Sequence, residues 1–390
     1  MTVITVPYMA RNAVRGNNQA LRQTLLTPGS ASGRIRRLMV VGGCALATTI
    51  TLVSCALGPK KHPEFGQNEA TPPASACTVS ALLVPSCGVW FGAAANPLAD
   101  ESWDEALPAF ERVLGRPMDI AHYYNASPKL FPTADMIARA REPGKKRLLL
   151  LNWKPEMGRS WAQVAAGDPE VDAAIDAQAN YLTTTFPEKF FLTIHHEPEE
   201  EVKPAAGSGF TAKDYAAMYR RIALRLKAKG ATNAVLVMTY RGAPYWGVQP
   251  WFEQLYPGDD VVDWIAEDPY LFGKDPEFSG GMAQAVNRTQ KAYPKWPGFY
   301  TWATTKHPGK PIMLAEWGVS DNLGEVKRSA VFSTMPDQLA AFPQVKALVY
   351  WNETDFDDIG ATQLKPGDPS VDALKAALKS PRLNPPALPK

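Results

Sequence analysis

Residues 190–240 read FFLTIHHEPEEEVKPAAGSGFTAKDYAAMYRRIALRLKAKGATNAVLVMTY. The first six, Phe190–His195, form an apolar run bounded by polar residues, the pattern of a strand buried on both faces. Thr211 and Asp214 form a capping-box variant that opens a helix. Tyr215, Met218, Tyr219, Ile222 and Leu226 then recur at helical spacing, and Gly230 supplies a stop. A second apolar run, Ala234–Thr239, closes the unit. Strand, helix and strand in that order imply a parallel pair.

The same alternation extends in both directions. The further strand candidates are Gly88–Gly92, Met118–Tyr123, Arg147–Asn152, Val261–Ala266, Pro311–Ala315 and Lys346–Tyr350. Asp168-Pro169 opens a helix with Val171, Ile175, Leu182 and Phe186 inward. Trp103, Leu107, Phe110 and Leu114 fit another, with Pro108 awkwardly inside it. Eight strand–helix units over about 300 residues predict an α/β fold, a (β/α)8 TIM barrel. An open doubly wound sheet is the alternative, but it often carries a Gly-rich nucleotide loop, and no GxGxxG or P-loop is present.

In a barrel the reactive side chains stand at the C-terminal ends of the strands. The third candidate strand is followed by Asn152-Trp153 and the fourth by His196-Glu197. The sixth leads to Glu267-Asp268-Pro269-Tyr270, the seventh to Glu316-Trp317, and the eighth to Trp351-Asn352. Two carboxylates facing across a barrel mouth are equipment for glycosidic cleavage. One is protonated to assist the leaving oxygen, and the other is ionised to attack the anomeric carbon. Glu197 fits the acid/base role and Glu316 the nucleophile. Trp153, Trp317 and Trp351 offer flat faces for sugar rings, with Asn152 beside them. The acids Glu199–Glu201 read as a solvated loop. Trp90, Trp103, Trp161 and Trp264 read as core.

The segments GVWFGAA, TIHHEPEE, GATNAVLVMTYRG, AEDPYLFG, IMLAEWGVS and LVYWNE resemble glycoside hydrolase family 26, from Cys87 to about Leu378. The resemblance implies a retaining barrel glycosidase with Glu197 as acid/base and Glu316 as nucleophile. It places His196 and Trp351 at the sugar next to the cleaved bond, and Tyr270 on the nucleophile. It implies a β-linked polysaccharide or oligosaccharide substrate, with β-mannan ahead of β-glucan and β-xylan. The chain departs from the mannanase pattern in Pro198-Glu199-Glu200-Glu201 after the acid/base and in Asn352 after Trp351.

Other classes fit less well. Two adjacent histidines on an extended strand point to opposite faces, so at most one, His196, faces the cleft. The motif is not HExxH, and neither metal nor cofactor is expected. A metal-dependent barrel hydrolase and a non-catalytic carbohydrate-binding surface protein remain as rivals. No GxSxG motif and no basic patch interleaved with aromatics is present, so no nucleic-acid partner is expected. A monomer is expected.

The N-terminal 54 residues read as a signal segment. Six arginines and no acid lie in residues 1–37, and an uncharged run, Leu38–Gly58, follows. Leu52-Val53-Ser54-Cys55 resembles the lipobox of bacterial lipoproteins, which makes Cys55 the candidate lipidation site and the only membrane contact. A spanning signal-anchor or full secretion is the alternative. Residues 55–78 then read as lipidation site and tether, 79–380 as the barrel, and 381–390 as an irregular tail. Cys77 and Cys87, in an exported protein, are expected to pair. The whole chain carries +2, but residues 55–390 hold 35 bases against 39 acids, a net charge of −4. The slight basicity therefore belongs to the export segment, and a neutral glycan suits the rest.

Overall fold

The computed structural model describes residues 77–95, 103–273, 280–354 and 360–386. The expected signal segment, Cys55 and most of the tether lie outside the described residues. Among the described residues, no helix is long and apolar enough to cross a membrane.

Eight parallel strands close on themselves: β1 (Trp90–Ala95), β2 (Ile120–Ala126), β3 (Leu148–Lys154), β4 (Phe190–Ile194), β5 (Ala234–Tyr240), β6 (Trp264–Glu267), β7 (Ile312–Val319) and β8 (Val345–Asn352). Each pairs with the next, and β8 pairs with β1, so the sheet has no open edge. Tyr270–Leu271 adds a short pairing beside Gly318-Val319 of β7. Helices α1 (Trp103–Leu114), α2 (Ala134–Ala140), α3 (Trp161–Ala166), α4 (Pro169–Thr185), α5 (Ala212–Ala228), α6 (Phe299–Lys306) and α7 (Glu325–Gln338) lie between strands, and α8 (Pro369–Ala377) follows β8. Thr211 caps α5 with Asp214 returning the bond, and Asp168 caps α4 ahead of Pro169. Pro108 is accommodated inside α1.

The strands alternate faces, and the two faces build two cores. Trp90, Ile120, Leu148, Leu150, Phe191, Val235, Val237, Trp264, Met313, Ala347 and Val349 fill the barrel interior. The outward positions between them pack against the helices. Trp90 and Trp264 lie in the interior and Trp161 in the outer core, as expected of core residues.

The floor of the barrel is closed by the loop ahead of β1. Cys77 and Cys87 are bridged, and Val79 pairs with Pro85 inside the loop. Leu83 joins the interior core. The interior indoles of Trp90 and Trp264 donate to the carbonyls of Leu83 and Leu82, at 2.8 and 2.7 Å. Buried indole N–H groups need such acceptors. After Ser380 the chain makes one 3-10 turn, Pro381–Leu383, with Leu383 buried and its carbonyl accepting from Arg116.

Several strands run further than their apolar runs. Asn152-Trp153 belongs to β3, Glu316-Trp317 to β7 and Trp351-Asn352 to β8, rather than to the loops beyond.

Candidate active site

At the C-terminal mouth the barrel interior turns from apolar to polar. Thr193 and Thr239 share a hydrogen bond at 3.0 Å. His122 and Asn152 are buried on neighbouring strands, and burial pushes the imidazole of His122 down to about 3, so it stays neutral. Above this layer stand three carboxyls. Glu197, Asp268 and Glu316 each bring one oxygen within 4.8 Å of the others.

Local backbone irregularity aims two of them. In β7, Leu314 pairs with Leu348 and Trp317 with Tyr350, so β7 spends one more residue than β8 over this interval. That bulge lets Ala315 face the interior and Glu316 face the site, while Trp317 returns to the outer core. Beyond β4 the chain enters the left-handed region twice, at His195 (φ +49°) and Glu197 (φ +51°). Such residues are uncommon outside glycine and cost free energy, on the order of 1 kcal/mol or more each. They turn His195 outward, leave His196 edge-on to the Tyr124 ring at 5.6 Å, and bring Glu197 to the mouth.

Of the three glutamates expected to form a solvated loop, Glu201 is exposed, Glu200 is half-buried and Glu199 is not solvated at all. Glu199 is fully buried, and its carboxylate accepts from the backbone N–H of Arg241 and of Gly242, both at 3.1 Å. It clamps this turn to the end of β5; burial raises its carboxyl to about 7. Glu200 lies 3.6 Å from Arg241 Nε. Glu201 accepts from Lys154 at 2.7 Å and lies 3.5 Å from His195 Nε2. His195 Nδ1 bonds Glu156, and its ring meets Trp161 and Tyr215 edge-on. Burial lowers the pKa of His195, but the charges and bonds of Glu156 and Glu201 outweigh it and raise it. Tyr215 of α5 donates to the carbonyls of Ile194 and His195 at 3.1 and 3.0 Å. The expected outward placement of His195 is therefore found, through a left-handed turn rather than simple alternation.

The carboxyls themselves are unequal. Glu316 accepts from Tyr270 on Oε2 at 2.7 Å and from Tyr124 on Oε1, and its own N–H donates to Asp268 Oδ1 at 2.9 Å. Glu197 faces Arg241 Nε at 3.6 Å. Burial raises the pKa of both glutamates, and the charge of Glu197 raises Glu316 further. Repulsion of this kind keeps one proton in the pair. Two phenolic donors bond both oxygens of Glu316 and favour its ionised form, while Arg241 and Asp268 favour that of Glu197. Asp268 is raised by burial and then by the charges of Glu316 and Glu197, with Arg241 acting against them.

Three carboxylates so close suggest a hard cation, since such ions take oxygen ligands. The donor set argues otherwise. Both oxygens of Glu316 and one of Asp268 are already hydrogen-bonded, and Arg241 supplies positive charge beside Glu197.

No protein-family model and no curated protein matches the sequence. Solved structures do. The catalytic domain of a family 26 endo-β-1,4-mannanase from Bacillus sp. JAMB-750 is 15% identical, with a TM-score of 0.51 over 76% of this chain and 88% of that one. An endo-β-mannanase/endo-β-glucanase from Prevotella bryantii is 14% identical, with a TM-score of 0.50 over 77% of this chain and 44% of that one. A family 26 β-mannanase from Bacteroides ovatus is 19% identical, with a TM-score of 0.49 over 76% and 90%. The fold is that of family 26 glycoside hydrolases.

Within this barrel the sequence-based candidates separate into two groups. Glu197, Glu316, His196 and Tyr270 meet at the mouth. Trp351 packs there too, against Ala94 and Tyr270 and edge-on to Tyr124 at 5.7 Å. Asn152 faces the interior beneath them. Trp153 and Trp317 do not reach the cleft. Trp153 is 1% exposed, lies edge-on to Phe131 and donates to Ser127. Trp317 is fully buried between Phe91, Phe332 and Tyr350. Each follows an inward residue, so each points outward, and neither is a sugar platform. Asn352, the departure after Trp351, accepts from the Leu364 N–H at 2.9 Å and is structural.

Tyr124, Asp268 and Arg241 are the site residues that the sequence reading missed. Tyr124 follows the last apolar residue of its strand. Asp268 and Arg241 stood inside the AEDPY and MTYRG segments as acid and base just past a strand, which was the available signal.

Proposed function

We propose that this chain is a retaining glycoside hydrolase that cleaves β-linked polysaccharide, with β-mannan as the favoured substrate. The observation that carries the reading is the Glu197–Glu316 pair at the barrel mouth, with one oxygen from each within 4.8 Å. Retaining enzymes hold their carboxyls about 5–5.5 Å apart, and inverting enzymes hold them farther apart to admit water. Glu316 attacks the anomeric carbon as Glu197 donates its proton to the leaving oxygen. The glycosyl–Glu316 bond is then broken by water, from which Glu197 takes a proton. Tyr124 and Tyr270 hold Glu316 for attack. Two of the structural neighbours named above are described as an endo-β-1,4-mannanase and an endo-β-mannanase/endo-β-glucanase, which supports mannan as the favoured substrate.

Glu316→Ala should abolish hydrolysis of an aryl β-mannoside, and added azide should restore turnover as a glycosyl azide of inverted configuration. Unchanged hydrolysis in that variant removes the nucleophile assignment. EDTA should leave the rate unchanged; a loss of activity restored by a divalent cation would favour the metal-dependent reading. We further propose that Cys55 carries a lipid anchor. Cys55→Ser should release the protein from membranes, and retention would favour a spanning segment.

A further inference from the structure

We propose that Tyr245, Trp246 and Tyr293 form an aromatic ledge that binds the leaving-group end of the glycan; this rests on the glycosidase reading above. Tyr245 is 43% exposed and is the one aromatic among the large, exposed hydrophobic residues described. Scattered exposed apolar residues need no explanation, but this one is not alone. Its ring lies 4.7 Å from Trp246 and 5.9 Å from Tyr293, both half-buried.

The topology puts the ledge on the catalytic face. Tyr245 and Trp246 lie on a short helical turn, Pro244–Gly247, directly after β5. Tyr293 lies in the connection from β6 to α6. Connections that run from strand to helix gather at the mouth of a barrel. The link to the chemistry is Arg241, four residues before Tyr245, whose Nε is 3.6 Å from the Glu197 carboxylate. Glu197 is the group that protonates the leaving oxygen, so the sugars beyond the cleaved bond leave on its side. The turn after Glu197 consists of Pro198 and three glutamates and offers no flat aromatic face.

The ledge is held in place before any ligand arrives. Trp246 leans on Trp251 at 5.9 Å. Gly247 sits so close to Trp296 that an added Cβ would lie 2.2 Å from the indole. Gly242, at φ +67°, lets the chain turn where a Cβ would meet Glu267 at 2.8 Å. Preorganised aromatic faces bind pyranose rings through their C–H surfaces with little ordering cost. The ligand class is therefore an uncharged pyranose chain.

The test compares two substrates in the full chain. An aryl β-mannoside has no sugars on the leaving side, whereas soluble β-1,4-mannan does. Tyr245→Ala should lower kcat/KM on mannan about tenfold (about 1.4 kcal/mol), mostly through KM, and leave the aryl mannoside within about twofold. Trp246→Ala should act in the same direction, with circular dichroism checking that it folds. Equal losses on both substrates, or no loss on mannan, would overturn the ledge. If the wild-type protein cleaves neither substrate, the glycosidase reading itself fails and the ledge falls with it.

Discussion

The two ends of this barrel obey opposite rules. At the floor, large apolar residues fill the interior, and both interior indoles find acceptors in a disulfide-closed loop. At the mouth, carboxyls are buried beside one another, two successive turns use left-handed backbone, and a strand is bulged. Features of the second kind cost stability and are kept where chemistry needs them. An apolar, hydrogen-bonded floor can carry a mouth of buried carboxyls and left-handed turns.

The contrast can be broken most directly at Glu316. Glu316→Gln should cut turnover of an activated glycoside by about 10⁴-fold or more, yet raise the melting temperature at neutral pH. The sign follows from linkage. Burial raises the pKa of Glu316 above its unfolded value, so folding is penalised increasingly as pH rises through that interval. An amide removes that penalty. A melting temperature that falls in Glu316→Gln would show that the mouth is not the strained end. The same raised values should displace the acid limb of the pH–rate profile above the ordinary glutamate range.

His195→Asn comes next. It removes the ion that Glu156 and Glu201 hold behind the Glu197 turn, and a misplaced Glu197 should lower kcat by about 10²-fold with little change in KM. His195 has a raised pKa, so its support is complete below the ordinary histidine value of 6.5 and fades as pH rises through the raised one. The gap between wild type and variant should therefore narrow at alkaline pH; a constant gap would count against the charged clamp.

The floor gives the mirror result. Replacing Cys77 and Cys87 by serine should cost about 2–3 kcal/mol in denaturant unfolding, with kcat unchanged in the folded protein. A comparable loss of kcat would mean that the two ends are coupled. The smallest effect belongs to Tyr124→Phe. Loss of one phenolic donor to Glu316 should cost about tenfold in kcat/KM, in line with a hydrogen bond to a charged group.

The barrel was legible because its strands are buried on both faces and read as plain apolar runs. Their upper ends were not, because inward residues there are polar or aromatic while the ladder continues. Asn152, Glu316 and Trp351 thus looked like loop residues. The outward turn of Trp153 and Trp317 depends on parity at the strand end, and in β7 on a bulge that no sequence pattern announces. Glu199–Glu201 misled for another reason. Acids in a row are usually solvated, and only the approach of Arg241, Gly242, Lys154 and His195 from other elements gives these three their partners. The pairing of carboxyls at strands four and seven was visible because each comes just after an apolar run in the sequence.

The floor also gathers both ends of the described chain. The described chain starts at Cys77 in the loop that closes the floor, and near its other end Pro385 lies against Gly88, only 2.9 Å from where a Cβ would sit. The barrel is thus gripped by its base like a torch. Both ends of the described chain therefore lie at the floor, away from the carboxyls of the mouth.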